Sequence, residues 1–328
     1  MAEPRSLLVI QPAFLGDVVF TSALVDSIGA RFPAARIDVC VTPRGRDIVL
    51  AMPRAAAPIV FDKRGADRGP GGLLRAVARV KGHELALLPH RSLRSGLLAR
   101  LARISRRIGF RGAPASMLYT ERVPSVGDTF LGKEAQLALA LGATPLPMRL
   151  RTRPEWMEAV DPTIRHLGAF AALCIGSEWA TKIWPAVRFA GLADALWRQG
   201  LAPVLIGGPN DRESAAAVNS AARVKCIDTT GNSVGEALAL LSQAALCVGG
   251  DTGLVHAARA LGTPTVALFG PTAPERHVFG PRSLSVSTGL ECSPCSEHGQ
   301  ERCPLGHHKC LRDLDVERVV DACEAAIA

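Results

Sequence analysis

The stretch Leu246-Cys247-Val248-Gly249-Gly250-Asp251-Thr252-Gly253-Leu254-Val255-His256 decides the fold class. Leu246–Val248 is a short apolar run of the length of a buried strand. Gly249, Gly250 and Gly253 then let the backbone come close to a ligand. A helix is predicted over Leu254–Leu261, stopped by Gly262-Thr263-Pro264 before another strand, Thr265–Phe269. Strand, turn, helix and strand in this order build a parallel sheet with helices on its faces.

The same alternation runs outward in both directions. Toward the N-terminus the strands Phe170–Ile175, Val204–Ile206 and Cys226–Asp228 alternate with helices over Val187–Gln199, Glu213–Ala222 and Val234–Gln243. Toward the C-terminus Asp315–Ile327 closes the chain as a helix, with Val316, Val319, Val320 and Cys323 on one side. A second series occupies the N-terminal half. Strands are predicted at Leu7–Ile10, Ile37–Val41, Ile59–Phe61 and Leu85–Leu88. A helix starts near Asp17 and carries Phe20, Leu24, Ile28 and Phe32 on one face. Further helices are expected over Leu73–Val80, Leu93–Ile104 and 128–141, with Lys63–Gly72 as an exposed loop. Pro145–Pro162, with four prolines among arginines, is read as the linker. The expected domains are 1–153 and 154–328.

Length and composition agree with two domains. The chain has 328 residues, and single cores stop growing near about 250–300. The net charge is +8, which suits nucleic acid, an anionic membrane or phosphorylated substrates. Aromatic residues are only 5% of the chain, too few for base stacking, and no nucleic-acid motif appears, so nucleic acid is not expected. No apolar run approaches the roughly 20 residues of a spanning helix. Ser6–Ile10 is too short for a signal sequence, so a cytoplasmic protein is expected. Nine cysteines, several in apolar strands, argue against a disulfide framework.

Ligands of open α/β sheets bind at the carboxyl ends of strands, which singles out three loops. Gln11–Asp17 lacks the dinucleotide glycine fingerprint and offers Asp17, either as a helix cap or as a general base. Gly176–Pro185 carries Ser177, Thr181 and Lys182, which suit a phosphate. Gly249–His256 adds a free helix N-terminus, an anion site in itself, with Thr252 and His256 on one helix face. Gly270–Pro274 makes a further strand-end loop beside it. Separately, Cys292, Cys295, Cys303 and Cys310 begin with a C-x-x-C pair, and three histidines lie among them. They fit either a structural zinc or iron site or reduced thiols packed in a loop.

Together these motifs resemble glycosyltransferase family 9, the heptosyltransferases. The resemblance rests on Gly250–Gly253 with His256, Val266–Thr272, Lys182–Pro185 and Leu15–Asp17. Pro89–Ser95 and Arg106–Arg111 are similar to the heptosyltransferase II branch. The resemblance implies a GT-B fold: two Rossmann-like domains whose parallel sheets face an interdomain cleft. It implies inverting transfer of heptose from ADP-heptose to the inner core of lipopolysaccharide, with no required cofactor. Asp17 takes the role of base, and Lys182, with Ser177 near it, that of diphosphate contact. Asp251, Thr252, Gly253 and His256 match the donor loop, and Asp211 the nucleoside contact. Among the arginines between His90 and Arg111, acceptor binding is expected of Arg91, Arg94 and Arg107, with peripheral contact to an anionic membrane as a further expectation. The N-terminal domain then holds the acceptor and the C-terminal one the donor, with the last helix free to pack back on the former. Two other readings stay open: a UDP-sugar epimerase-like enzyme and a non-catalytic nucleotide-sugar binding module. Product analysis with ADP-heptose separates them.

Overall fold

Leu7, Leu8, Val9 and Ile10 are fully buried, as strand β1 (Ser6–Ile10) must be when helices cover both faces of a parallel sheet. The computed structural model describes residues 3–125 and 129–328. Contacts divide the chain into two units, Met1–Arg151 and Thr152–Ala328.

In the first unit, β1 is followed by α1 (Leu15–Arg31), β2 (Arg36–Val41), α2 (Arg46–Ala51), β3 (Ala57–Val60) and α3 (Gly69–Val80). Then come β4 (Leu85–Leu88), α4 (Leu93–Leu101), β5 (Arg106–Phe110), β6 (Glu121–Val123) and α5 (Phe130–Leu139). The six strands are parallel, in the order β3-β2-β1-β4-β5-β6. The second unit runs α6 (Pro154–Ile164), β7 (Phe170–Cys174), α7 (Ala186–Arg198), β8 (Ala202–Ile206), α8 (Arg212–Ala221), β9 (Ile227–Asp228) and α9 (Val234–Gln243). It continues with β10 (Leu246–Gly250), α10 (Gly253–Leu261), β11 (Thr265–Phe269), β12 (Ser283–Ser287), α11 (Lys309–Arg312) and α12 (Val316–Ile327). Its sheet, β12-β11-β10-β7-β8-β9, is also all parallel and repeats the first order from its own first strand. Both units are thus doubly wound α/β sheets of Rossmann type. The winding reverses between β1 and β4 in one and between β7 and β10 in the other, where such sheets leave a crevice for ligands.

Three expectations need correction. β5 lies where the sequence shows a basic run, because half-buried Arg106 and Arg107 open a strand whose next three residues are buried, and β6 follows it at the sheet edge. The expected linker contains α6: Pro154 sits in its first turn, where the missing N–H costs nothing. It packs on α9, with Trp156 against Gly235. The edge strand β12, SLSVS, has too few apolar residues to stand out. Helix α12 packs on α7 and on β10–β12, with Val319 and Cys323 in that core. Of the helix expected over 128–141, residue 128 lies outside the described residues.

Candidate active site

The winding reversal of the second unit brings together the loops that follow β7 and β10. Gly250 makes their approach feasible: a Cβ there would stand 2.4 Å from the carbonyl oxygen of Lys182. The Lys182 side chain is only 12% exposed, and its Nζ lies 2.6 Å from Asp251 Oδ2. Thr272 Oγ1 donates to the same oxygen at 2.8 Å. Asp251 Oδ1 lies 2.8 Å from His256 Nε2 and 3.4 Å from His277 Nε2. The two imidazoles stack with centroids 4.7 Å apart.

Hydrogen-bond chemistry assigns the His256 tautomer. Arg259 Nη1, which can only donate, lies 3.2 Å from Nδ1. Nδ1 is therefore the acceptor, and Nε2 carries the proton given to Asp251. Burial lowers the His256 pKa, against the pull of Asp251, and keeps the ring neutral. His277 is pushed down to about 3, first by burial and then by the neighbouring His256. For Asp251 burial works the other way, but the His256 hydrogen bond and the surrounding positive charge, Lys182 included, hold its carboxyl well below the usual range. Asp251, His256 and His277 are the one grouping of three potential metal-ligand atoms within 4.8 Å among the described residues. The Lys182 ammonium already takes the place of a cation there.

The remaining donor-loop residues frame this pocket. Gly253 opens α10, and Thr252 is its N-cap residue, making no side-chain cap. Among the described residues the buried Thr252 hydroxyl has no partner, and the first N–H groups of a helix have none within it. Hydroxyl, helix terminus and ammonium together suit a diphosphate. Ser177 Oγ accepts from Trp179 N–H at 3.2 Å and shapes the turn before Lys182. Asp211 Oδ2 accepts from Gly208 N–H at 2.7 Å. It lies over Gly176, where a Cβ would be 2.0 Å away. Asp211 thus stands beside the ends of β7 and β8.

The cysteine-rich segment braces these loops. Thr181 Oγ1 donates to Gln300 O and accepts from Gln300 N–H, each at 2.8 Å. His308 Nε2 donates to Thr181 O at 2.8 Å, and Cys295 N–H donates to Pro271 O at 2.9 Å. Cys292, Cys295, Cys303 and Cys310 line one cavity of about 40 Å³ with His307. Among the described residues no three of these sulfurs lie within 4.8 Å of one another.

In the first unit Asp17 is half-buried in the first turn of α1, whose N-cap is Phe14. Asp17 is therefore not the cap residue. Lys63 Nζ donates to Pro12 O at 2.6 Å, next to the loop that leads to Asp17. Burial, then Arg64 and Arg94, lower the Lys63 pKa, so these three cations share the region after β3 and β4. Arg91 and Arg94 are exposed. Arg107, expected at the acceptor, donates to Leu118 O at 2.7 Å and to Ile104 O, tying β5 to the turn beyond it. Lys63, Thr272, Arg259 and His277 were not singled out from the sequence. Thr272 lies in a loop whose position after a strand was legible. His277 and Lys63 lie in loops with no periodic pattern to mark them.

Two doubly wound sheets, one with the buried Lys182–Asp251 pair at its winding reversal, place the chain in the GT-B fold class. The model of "Glycosyltransferase family 9 (heptosyltransferase)" matches residues 74–305, and the chain belongs to this family. It is 26% identical to lipopolysaccharide heptosyltransferase 2 of Salmonella typhimurium, over 96% of each chain. A family 9 glycosyltransferase structure from Veillonella parvula superposes with TM-score 0.87 at 22% identity, covering 100% of this chain and 98% of that one. The Escherichia coli ADP-heptose lps heptosyltransferase II structure gives TM-score 0.77 at 24% identity over 98% of each. Among the described residues no helix is long and apolar enough to cross a membrane.

Proposed function

We propose that this glycosyltransferase moves heptose from ADP-heptose to the inner core of lipopolysaccharide, with inversion at the anomeric carbon. The observation that carries the reading is the Lys182 ammonium, held by Asp251 beside the N-terminus of α10. When the bond from anomeric carbon to diphosphate breaks, its electron pair leaves with ADP. Lys182 and the α10 N–H groups stabilise that charge. Asp251 does not touch the donor in this reading; it orients Lys182, and His256, His277 and Thr272 orient Asp251. Asp211 and Ser177 complete the donor side. On the other unit Asp17 accepts the proton of the attacking acceptor hydroxyl as the new C–O bond forms. A single displacement inverts the centre. Lys63, Arg91 and Arg94 suit an acceptor bearing carboxylates and phosphates.

Heptose and lipopolysaccharide are supported by the family and by the names of the relatives. The expected domains 1–153 and 154–328 take the acceptor and donor roles. The cytoplasmic face of the inner membrane is the proposed place of action, its anionic surface meeting the same basic region. The transfer itself calls on no cofactor. The four-cysteine cavity suits a structural zinc or iron ion, because soft thiolates favour these metals; closing on the ion would bring the sulfurs together.

The test is Asp17→Asn, assayed with ADP-heptose and truncated core acceptors. Turnover should fall about 10²–10⁴-fold, with ADP affinity and melting temperature unchanged. A near-normal rate would remove Asp17 from the chemistry. ADP-heptose bound but never consumed by the native chain would favour a binding module, and epimerised sugar an epimerase.

A further inference from the structure

Thr21 lies one turn after Asp17 on α1, and its hydroxyl has three neighbours. Its Oγ1 is 2.9 Å from the carbonyl oxygen of Asp17, 3.2 Å from Gln11 Nε2 and 3.2 Å from Glu134 Oε1. A hydroxyl has one proton and two lone pairs. The Asp17 carbonyl can only accept, so it takes the proton. The Gln11 amide N–H can only donate, so it fills one lone pair. With the proton on that side, the contact to Glu134 Oε1 is a hydrogen bond only if Glu134 donates it, and a carboxyl group donates only when protonated.

We infer that Glu134 carries a proton at neutral pH and acts as a positioning residue, holding the first turn of α1 and with it Asp17. The inference rests on the reading of Asp17 as the base for its catalytic consequence, but not for the protonation itself. Glu134 is 4% exposed, on the face of α5 that packs against α1, where Phe20 and Phe130 stack with centroids 5.0 Å apart. Among the described residues it forms no ion pair. Its Oε2 is buried without a hydrogen-bond partner, tolerable for the carbonyl of an acid and costly for a carboxylate oxygen. The charged groups that act on it are Asp17 on α1 and Lys133 on its own helix. Lys133 lies over the Phe130 ring at 5.7 Å. Asp26, further along α1, is engaged by Arg149. Burial first, opposed by the Thr21 hydrogen bond and Lys133 and reinforced by Asp17, pushes the Glu134 carboxyl up to about 8. A neutral Glu134 spares Asp17 a second negative charge beneath it and fixes the turn that carries it.

The test compares the native chain with Glu134→Gln and Glu134→Ala. Between pH 5 and 8 the unfolded chain loses the Glu134 proton and the folded chain keeps it. The unfolding equilibrium should shift toward unfolding by up to about tenfold per pH unit relative to Glu134→Gln. A melting difference between the two that is flat over this range overturns the protonation. The neutral glutamine can still donate, so it should restore most of the turnover that alanine loses, and should lack the native decline in rate above pH 8. Alanine with native turnover overturns the positioning role. A folded glutamine variant without turnover overturns the neutral form, since a carboxylate would then be required. Asp17→Asn distinguishes the two ideas. If it stays active while the pH signature of Glu134 persists, the base assignment falls and the neutral Glu134 stands; if it is inactive and the signature is absent, only the Glu134 inference falls.

Discussion

Replacing Lys182 by alanine reaches further than one phosphate contact. Lys182 and Asp251 side chains are 12% and 8% exposed and meet at 2.6 Å, so water screens the pair little. A charge-assisted hydrogen bond contributes about 1.5–3 kcal/mol, and its loss should weaken ADP binding about 10- to 150-fold. The same change strands the Asp251 carboxylate. Breaking a buried pair costs about 3–5 kcal/mol, and the bonds from His256 and Thr272 keep the value near the lower end. For a unit of this size, that lowers the melting temperature by about 6–12 °C. Asp251→Asn should reverse the proportions. It releases the ammonium, so ADP binding changes less than in Lys182→Ala while stability falls comparably. Calorimetric titration with ADP below the melting range, beside thermal unfolding, reads both quantities. An unchanged dissociation constant in a folded Lys182→Ala protein would refute the phosphate role. An unchanged melting temperature would refute the view that Asp251 depends on Lys182.

Four further outcomes follow from the structure. His277 has an unfolded value of 6.5 and a folded value of about 3, so its neutral form is fully accommodated above about pH 6.5. Stability should then be lost as pH falls toward 3, by at most about 1.4 kcal/mol per unit; His277→Asn should flatten that acid limb in thermal unfolding, and an identical limb would remove His277 as its source. Arg107→Ala should lower the melting temperature of the first unit while leaving acceptor KM near native, because its guanidinium serves Leu118 O and Ile104 O. Arg94→Ala should do the opposite, raising KM for a phosphorylated acceptor with little change in melting. Elemental analysis of protein purified without added metal decides between the two cysteine readings: about one zinc or iron per chain, lost in Cys295→Ser, would establish a metal site, and a trace amount would leave the four cysteines as structural thiols.

What the sequence determines by itself is whatever is local and periodic. Alternating apolar strands and helices, each under twenty residues, specify two parallel α/β series, and β4, α9 and β11 begin and end where their periodicity does. The glycines of Gly249–Gly253 and the lysine in Gly176–Pro185 mark strand-end loops, because only such loops combine backbone freedom with a helix start. Strands of mixed character escape this reading. Arg106–Phe110 and Ser283–Ser287 become strands because neighbouring strands offer them a ladder, not because their own residues demand it. The chemistry of the site is decided one level higher still. Winding order brings Lys182 to Asp251 across 69 positions of sequence, and the third and fourth partners, Thr272 and His277, arrive from the loop after β11. Whether Asp251 faces a ligand or a lysine, whether Arg107 meets a substrate or a carbonyl, and whether Glu134 holds a proton depend on which groups the sheets leave within hydrogen-bonding distance. One-dimensional spacing carries no such distances, since each is set by packing between elements far apart in the chain.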